Sequence, residues 1–477
     1  MSAKRILASA VSVGLALAPA QDADPAAGIA PHLAQWVKLF AVVDREAADK
    51  PNADQAVFQG ALPGALRQLD PHSIFFDPEN FRQLQEMEKS IRRGFGTIVS
   101  ILPGRVVVLQ TQAGSPGARA GLLPGDEIVG VNGYALSQFE PEQIMQLLMQ
   151  ARQHAVHLDV RRQNSPRLLP FELTPASMET PSVDRAFLLR PGVGFVRMTS
   201  FEGNTGKELR AAIEKIGGHQ LKSLVLDLRG NPGGVLPAAL ETAAAFLQPG
   251  QRIISVRGRS KKTEDIDVPA GAKPYTFPLA VLVNAKSASA SEIVAAAMQD
   301  HKRGVVVGEP TFGKGLVQSV FPLMTETAIA LTVAYYYSPA GRNLQRPLKG
   351  AQLETPSADT PGGVKPDHGV VPPRPSRLHV ALEASGSFTA FATGFTRRQT
   401  VADGFEVSSR LMDEFQGWLA QHNIQPAITE WTADAHWIQQ RLKQEIYNLG
   451  LGVEKGDEIE MRNDPVVIRA LAEIVKP

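Results

Sequence analysis

The chain has 477 residues, 43% of them hydrophobic, which is enough for two to four domains with sizeable apolar cores. A net charge of +1 implies no polyanionic partner, and no basic run with interleaved aromatic residues indicates nucleic-acid binding. Cysteine is absent, which excludes disulfides, thiolate metal sites and a cysteine nucleophile.

The N-terminus has the pattern of a secretory signal over residues 1–20. Lys4 and Arg5 precede an apolar stretch over residues 6–17, and Ala18-Pro19-Ala20 then forms an A-x-A cleavage pattern. The apolar stretch is short for a membrane span. We therefore expect secretion across an inner membrane, to the periplasm, with an uncleaved anchor and an ordinary helix as alternatives.

The next region, residues 21–92, is predicted to be mainly helical. It is interrupted at LDPHSIFFDPENF (69–81), where two Asp-Pro pairs mark turns or helix starts. Residues 93–165 instead contain short β-rich segments, such as GTIVSI, RVVVLQ and DEIVGVN, and one helical segment, PEQIMQLLMQA. These lengths predict a small β-rich module, and the prolines that follow it indicate a linker or edge region.

Residues 166–376 alternate between strand and helix patterns. SLVLDL, PLAVLVN and GVVVGE are strand-like, and VLPAALETAAAFL and SEIVAAAMQ between them are helical. This alternation predicts a crossover α/β core. Residues 377–477 are predicted to be a helical extension, in which Leu411, Phe415, Trp418 and Leu419 share one apolar face.

Three serines in NAKSASASEIVAAAMQD (284–300) are candidates for chemistry, although small residues also let a helix pack closely. The chain lacks HExxH and G-x-S-x-G, so neither that type of zinc peptidase nor an α/β-hydrolase is indicated. A serine nucleophile can use a lysine as its base if the lysine is neutral. Burial lowers a lysine pKa from about 10.4 toward the range of about 7–8 that suits a base.

Lys314 is the lysine whose neighbourhood fits this role, because it stands between two glycines in VVVGEPTFGKGLVQ. A turn with an exposed lysine is the alternative. LRGNPGG (228–234) follows a predicted buried strand, where glycines free backbone N–H groups for an anion, and a plain turn is its alternative. His72 is interpreted as a turn or capping residue, and His154 and His157 as part of a partly exposed strand rather than a metal site.

Together, LDLRGNPGG, LVNAKSASASEIVAAAMQDHKRGVVVGEPTFGKGLVQ and YYYSPAGRNLQ resemble the C-terminal processing peptidases, or tail-specific proteases. The resemblance is ordered and covers residues 55 to 375. It implies that Ser289 is the nucleophile, that Lys314, 25 residues later, is the base, and that Gln318 orients the lysine. It also implies an oxyanion hole from the N–H groups of Ala290 and Gly234, with Gly233 as an alternative.

The resemblance extends to Asp300 and to the β-rich module. Asp300 matches an aspartate of the family and is expected to support the structure. The module resembles a circularly permuted PDZ domain, which implies that Gly94, Phe95 and Gly96 bind a substrate C-terminus. A β-module used only for packing is the alternative.

The implied fold is a crotonase/ClpP-like α/β peptidase core with an inserted PDZ domain and helical N- and C-terminal regions. The implied protein is a secreted serine endopeptidase that recognises substrate C-termini and needs no metal or cofactor. Its partners are protein or peptide substrates, and an adaptor protein or further copies of the chain are compatible with the resemblance. A catalytically silent PDZ scaffold and a crotonase-like acyl-CoA enzyme are the alternatives.

Overall fold

The structure is a computed structural model that describes residues 28–49, 51–82, 93–112, 114–152, 154–162, 165–177, 181–260, 262–323, 326–347 and 361–475. The predicted signal segment, residues 1–20, lies outside these residues. No helix in the described ranges combines the length and the apolar character needed to cross a bilayer.

The helices and strands are numbered separately in chain order. The helices are α1 (Ala30–Glu46), α2 (Leu62–Arg67), α3 (Pro116–Ala120), α4 (Pro141–Ala151), α5 (Thr205–Lys215), α6 (Leu236–Ala244), α7 (Ala290–Asp300), α8 (Arg377–Ser385), α9 (Ser387–Arg398), α10 (Ser409–Gln421), α11 (Ile428–Gly450), α12 (Val453–Asn463) and α13 (Pro465–Ile474). The strands are β1 (Ile74–Phe76), β2 (Arg93–Gly94), β3 (Thr97–Leu102), β4 (Arg105–Thr111), β5 (Glu127–Val131), β6 (Tyr134–Ala135), β7 (Val156–Arg161), β8 (Leu169–Leu173), β9 (Ala176–Ser177), β10 (Val183–Arg190), β11 (Val193–Met198), β12 (Ser223–Asp227), β13 (Arg252–Arg257), β14 (Glu264–Asp267), β15 (Leu279–Val283), β16 (Val305–Gly308), β17 (Leu316–Pro322), β18 (Ala328–Tyr337) and β19 (His368–Gly369).

The central sheet of the core has the order β10-β11-β12-β15-β16-β19 and is parallel from β11 onward. Every residue of β12 and β15 is buried, as expected for strands covered on both faces. One face packs against α5, α6 and α7. The opposite face packs against apolar residues of α12 and α13, so the C-terminal extension completes the core.

A second sheet lies beside the first and has the order β1-β18-β13-β14, with β17 also paired to β18. β1 comes from the region predicted to be mainly helical and pairs antiparallel with β18, where Ile74 lies opposite Ala330. The N-terminal region therefore contributes a strand and the turn that precedes it to the core. Helix α1, in contrast, buries none of its residues.

The β-rich module forms the sheet β3-β4-β5-β7-β8, with β6 paired to β5. Its core is built from inward-facing residues of these strands together with Ile144 of α4. β3 and β8 are the two edge strands of this sheet. β8, residues 169–173, comes from the proline-containing segment that was predicted to be a linker or edge region.

The C-terminal helices α8–α11 form a separate apolar core. Of the predicted apolar face, Leu411, Phe415 and Leu419 are buried, and Trp418 is partly buried against the same core. Ser408 caps α10 by accepting a hydrogen bond from Leu411 N at 3.3 Å. The predicted arrangement of an α/β core, an inserted β-rich module and helical regions on both sides is confirmed.

Candidate functional site

Ser289 stands at the start of helix α7, just beyond the end of the buried strand β15. Its backbone has φ 55° and ψ −114°, a conformation that a residue with a side chain rarely adopts. Strain of this kind costs about 1–3 kcal/mol and is typical of functional positions. The Ser289 side chain forms no capping hydrogen bond and is 5% exposed. Its hydroxyl is therefore left for other chemistry.

The two neighbouring serines have structural partners. Ser287 Oγ donates to Leu228 O at 2.8 Å, and Ser291 Oγ donates to Asn231 O at 3.0 Å. Both hydroxyls thus hold this segment against the 228–234 loop. Among the described residues, the hydroxyl of Ser289 has no such bond.

Glu292 joins the candidate nucleophile to the candidate base. Its carboxylate is completely buried, and its Oε2 accepts from the backbone N–H groups of Ser289 and Lys314, each at 2.8 Å. Its Oε1 accepts from Thr311 Oγ1 at 2.5 Å and from Gly313 N at 2.6 Å. Burial raises the pKa of Glu292, while these four donors favour the charged form. One carboxylate therefore fixes both backbones.

Lys314 is 5% exposed, and burial lowers its pKa, an effect that the charge of Glu292 partly offsets. The glycines on either side make this position possible. A Cβ on Gly313 would lie 2.8 Å from Arg346 Cβ, and one on Gly315 would lie 2.3 Å from Gln345 N. Among the described residues no hydrogen bond joins the side chains of Ser289 and Lys314. Such bonds are often long in a free enzyme and tighten when substrate is bound.

Gln318 lies on β17, and its side chain reaches the turn before β1. Its Nε2 donates to His72 O at 2.8 Å, and the described residues show no hydrogen bond between Gln318 and Lys314. The turn itself is held by Asp70, whose carboxylate accepts from His72 N at 2.7 Å and from Ser73 Oγ at 2.7 Å. The N-terminal region thus helps to fix Gln318.

The His72 ring is buried, within range of the charge of Lys314. Burial lowers the pKa of His72, as does the charge of Lys314, while Asp70 acts in the opposite direction. Its Nε2 has no hydrogen-bond partner among the described residues. The backbone of His72 lies in a turn, as the sequence predicted. Its ring and Lys314, the candidate base, affect each other electrostatically.

The 228–234 loop lies directly against Ser289. A Cβ on Gly233, which has φ 98°, would be 2.8 Å from Ser289 Cβ and 2.9 Å from Ala290 N. Gly233 N donates to Asn231 Oδ1 at 2.9 Å, whereas the N–H groups of Gly234 and Ala290 have no acceptor among the described residues. Two free N–H groups beside a serine are the arrangement that binds an oxyanion. This geometry favours Gly234 over Gly233 as a donor.

Asp300, at the end of α7, lies in a different environment. Its carboxylate pairs with Arg342 and accepts from Ala340 N at 2.8 Å. It therefore braces the loop after β18, which is a structural contact.

The predicted carboxylate-binding loop joins β2 to the edge strand β3. Phe95 O accepts from Gly117 N at 2.9 Å, and Gly96 O accepts from Gln112 N at 2.8 Å. The N–H groups of Phe95 and Gly96 donate to no acceptor among the described residues. The loop thus offers backbone donors next to β3, which pairs with β4 alone among the described strands, as binding of a peptide C-terminus requires.

The described residues contain no group of three or more His, Asp or Glu side chains placed to hold a metal ion. His157 instead lies 2.8 Å from Glu172 on the neighbouring strand, and this hydrogen bond raises the pKa of His157.

Glu292 and the Asp70–Ser73 turn are absent from the site predicted from sequence. Glu292 had a local signal, because Ser289-Ala-Ser-Glu292 has the spacing of a capping box. The two Asp-Pro pairs of residues 69–81 predicted a turn, but nothing in the sequence indicated that this turn contacts Gln318.

Comparison with known proteins identifies two matching families. The profile described as "Peptidase family S41" matches residues 192–368, and that described as "PDZ domain" matches residues 107–162. The carboxy-terminal-processing protease of Bartonella bacilliformis is 34% identical over 321 residues, which cover 66% of this chain and 73% of that protein. The chloroplastic carboxyl-terminal-processing peptidase 2 of Arabidopsis thaliana is 31% identical over 357 residues, or 68% of this chain and 69% of that protein. A solved structure named photosystem II D1 C-terminal processing protease is 26% identical, with a TM-score of 0.42, and covers 71% of this chain and 87% of that chain.

Proposed function

We propose that this chain, which belongs to the C-terminal processing proteases of peptidase family S41, cleaves proteins with a Ser289–Lys314 dyad after its PDZ domain has bound their C-termini. The chain is a serine peptidase with a PDZ domain, and the proposal concerns which residues act and how. The observation that carries it is the buried carboxylate of Glu292, which holds Ser289 N and Lys314 N on one oxygen.

In the acylation step, Ser289 Oγ attacks the carbonyl carbon of the scissile amide. Its proton passes to the neutral amine of Lys314, which then gives a proton to the leaving amine as the C–N bond breaks. The lowered pKa of Lys314 supports this role, because a buried lysine is neutral at a pH where an exposed lysine is charged.

The negative charge on the carbonyl oxygen is stabilised by the N–H groups of Gly234 and Ala290. Ala290 follows Ser289 in the chain, and Gly234 follows Gly233, which lies against Ser289. Both N–H groups are free of other acceptors among the described residues. In the second step, water attacks the carbonyl carbon of the acyl-enzyme and gives a proton to the neutral amine of Lys314. Lys314 returns this proton to Ser289 Oγ as the ester bond breaks, and the acid product leaves.

Substrate capture uses the edge of β3 that is unpaired among the described strands. An extended peptide adds there as a further strand, and its terminal carboxylate is bound by the N–H groups of the 94–96 loop. Gln318 and the turn at His72 complete the surroundings of the base. The N-terminal pattern of residues 1–20 supports secretion to the periplasm as the place of action.

The test is cleavage of unfolded casein by the full chain and three variants. We expect Ser289→Ala and Lys314→Met to lose cleavage while keeping the far-ultraviolet circular dichroism of the wild type. Lys286→Met is the matched control, because Lys286 is an exposed lysine three residues before Ser289. Cleavage by folded Ser289→Ala at the wild-type rate would refute the dyad, and absence of cleavage by the wild type would favour a silent scaffold.

A further inference from the structure

The 228–234 loop is tied to the C-terminal extension by a buried ion pair. Arg229 Nη2 lies 2.7 Å from Asp227 Oδ2, and Arg229 Nη1 lies 2.6 Å from Asp464 Oδ2. The side chains of Arg229, Asp227 and Asp464 are 18%, 2% and 15% exposed, so the cluster is largely shielded from water. Removing one partner from such a cluster leaves a charge without compensation, which is costly.

Asp464 uses its two carboxylate oxygens for different purposes. Oδ1 caps helix α13 by accepting from Val466 N at 2.7 Å and from Val467 N at 3.1 Å. Oδ2 pairs with Arg229. The same side chain therefore fixes the start of the helix that covers the central sheet and the position of Arg229.

Each backbone N–H group from Arg229 to Gly233 donates a hydrogen bond. Arg229 N donates to Asp227 Oδ1 at 2.9 Å, and Gly230 N donates to Asn284 Oδ1 at 2.9 Å. Asn231 then positions Gly233 N, directly before the proposed oxyanion donor Gly234. A shift of Arg229 consequently displaces the loop that carries this donor.

Helix α12 connects this ion pair to the PDZ domain. At its start, Val453 N donates to Gln110 Oε1 of β4 at 3.3 Å, and Val453 packs with Leu102 and Leu109 of the PDZ domain. At its end the chain continues directly to Asp464. The 11 residues of α12 span about 16 Å. The middle of the helix is anchored to the core through the Arg185–Asp457 pair.

We propose that Asp464 is a positioning residue for the oxyanion loop, and that helix α12 couples the position of that loop to the PDZ domain. The inference rests on the proposed function, because it assumes that the 228–234 loop stabilises the oxyanion. It gives the C-terminal extension a role in catalysis besides packing.

The first test compares Asp464→Asn with Glu458→Gln in the full chain. Asparagine keeps an oxygen that can cap α13 but loses the charge that pairs with Arg229. Glu458→Gln also removes one negative charge, from the preceding helix α12, where Glu458 pairs within the helix with Lys455 and Arg462.

We expect Asp464→Asn to lower kcat for casein about tenfold and to change KM less than about twofold. The expected loss of kcat is smaller than the ~10²–10³-fold loss that removal of an oxyanion donor causes, because Asp464 acts only through the position of the loop. A merely structural role would lower the melting temperature and leave kcat of the folded fraction intact. Wild-type kcat in folded Asp464→Asn, or an equal loss in Glu458→Gln, overturns the proposal.

The second test measures hydrogen exchange of the loop amides of Arg229, Gly230, Asn231 and Gly233, all of which are hydrogen-bonded. We expect these amides to exchange faster in Asp464→Asn than in the wild type. In the Ser289→Ala background, a casein-derived peptide with a free C-terminal carboxylate should change their exchange, whereas its amidated form should not. No change with the free-acid peptide overturns the coupling through α12.

Different results would reject this inference and the proposed function. If Ser289→Ala retains full cleavage, the dyad is wrong, whatever Asp464 does. If Ser289→Ala is inactive and Asp464→Asn has wild-type kcat, the dyad stands and the role of Asp464 is rejected.

Discussion

Replacement of Glu292 by glutamine tests the carboxylate that joins the two halves of the site. The carboxylate accepts four hydrogen bonds, two on each oxygen, and all four partners are donors. A glutamine side chain offers one oxygen and one NH2 group in the same space. One pair of donors therefore faces another donor.

The magnitude follows from the hydrogen bonds that remain unmade. Two buried donors without an acceptor cost about 1–3 kcal/mol each, so we expect the free energy of unfolding to fall by about 2–6 kcal/mol. Since domains are stable by about 5–15 kcal/mol, this is a large fraction of the total.

The assay is urea unfolding followed by circular dichroism, with kcat for casein measured on the folded protein. Glu309→Gln is the matched control, because it removes a partly exposed carboxylate near the same loop. We expect Glu292→Gln to lose stability whichever oxygen the NH2 group replaces, and to lose kcat as well where it replaces Oε2 and faces Ser289 N and Lys314 N. A change in stability below about 0.5 kcal/mol together with wild-type kcat would refute the reasoning.

Three further predictions follow from the same contacts. Burial lowers the pKa of Lys314, and Lys314 must be neutral to act as the base. We therefore expect kcat/KM to fall as the pH drops through this lowered pKa, with a midpoint below the ordinary lysine value. A midpoint near about 10.4 would contradict this prediction. Lys314→Arg should be inactive across the whole pH range, because arginine stays protonated, and a pH–rate profile with residual activity would show otherwise. Ser289→Gly should be inactive yet more stable than Ser289→Ala by about 1 kcal/mol in urea unfolding, since glycine relieves the strain at φ 55°; equal stability of the two variants would argue against strain.

The sequence predicted much of the core because its signals are local. The strands β12, β15 and β16 are built around short apolar runs, and helices follow the first two strands. This alternation alone indicated a crossover α/β topology. The family resemblance is confirmed by the matches to family S41 and to the PDZ domain. The assignments of Ser289, Lys314 and Gln318 to particular roles remain predictions.

What the sequence did not reveal depends on contacts between distant segments. The amphipathic pattern of the C-terminal region indicated apolar faces but did not show what they pack against. For α13 this is the face of the central sheet opposite α5, α6 and α7. The strand β1 has three residues, too few for a periodic signal, and its place is set by pairing with β18. The Arg229–Asp464 pair spans 235 positions and has no local pattern.

The most direct test of the Ser289–Lys314 dyad is mass spectrometry of the peptides that the full chain releases from an unfolded protein substrate. We predict a set of cleavage products that the wild type and Lys286→Met generate, and that Ser289→Ala and Lys314→Met do not. Amidating the C-terminus of a peptide substrate should reduce the yield at low substrate concentration. The same products from Ser289→Ala at wild-type yield would contradict the account.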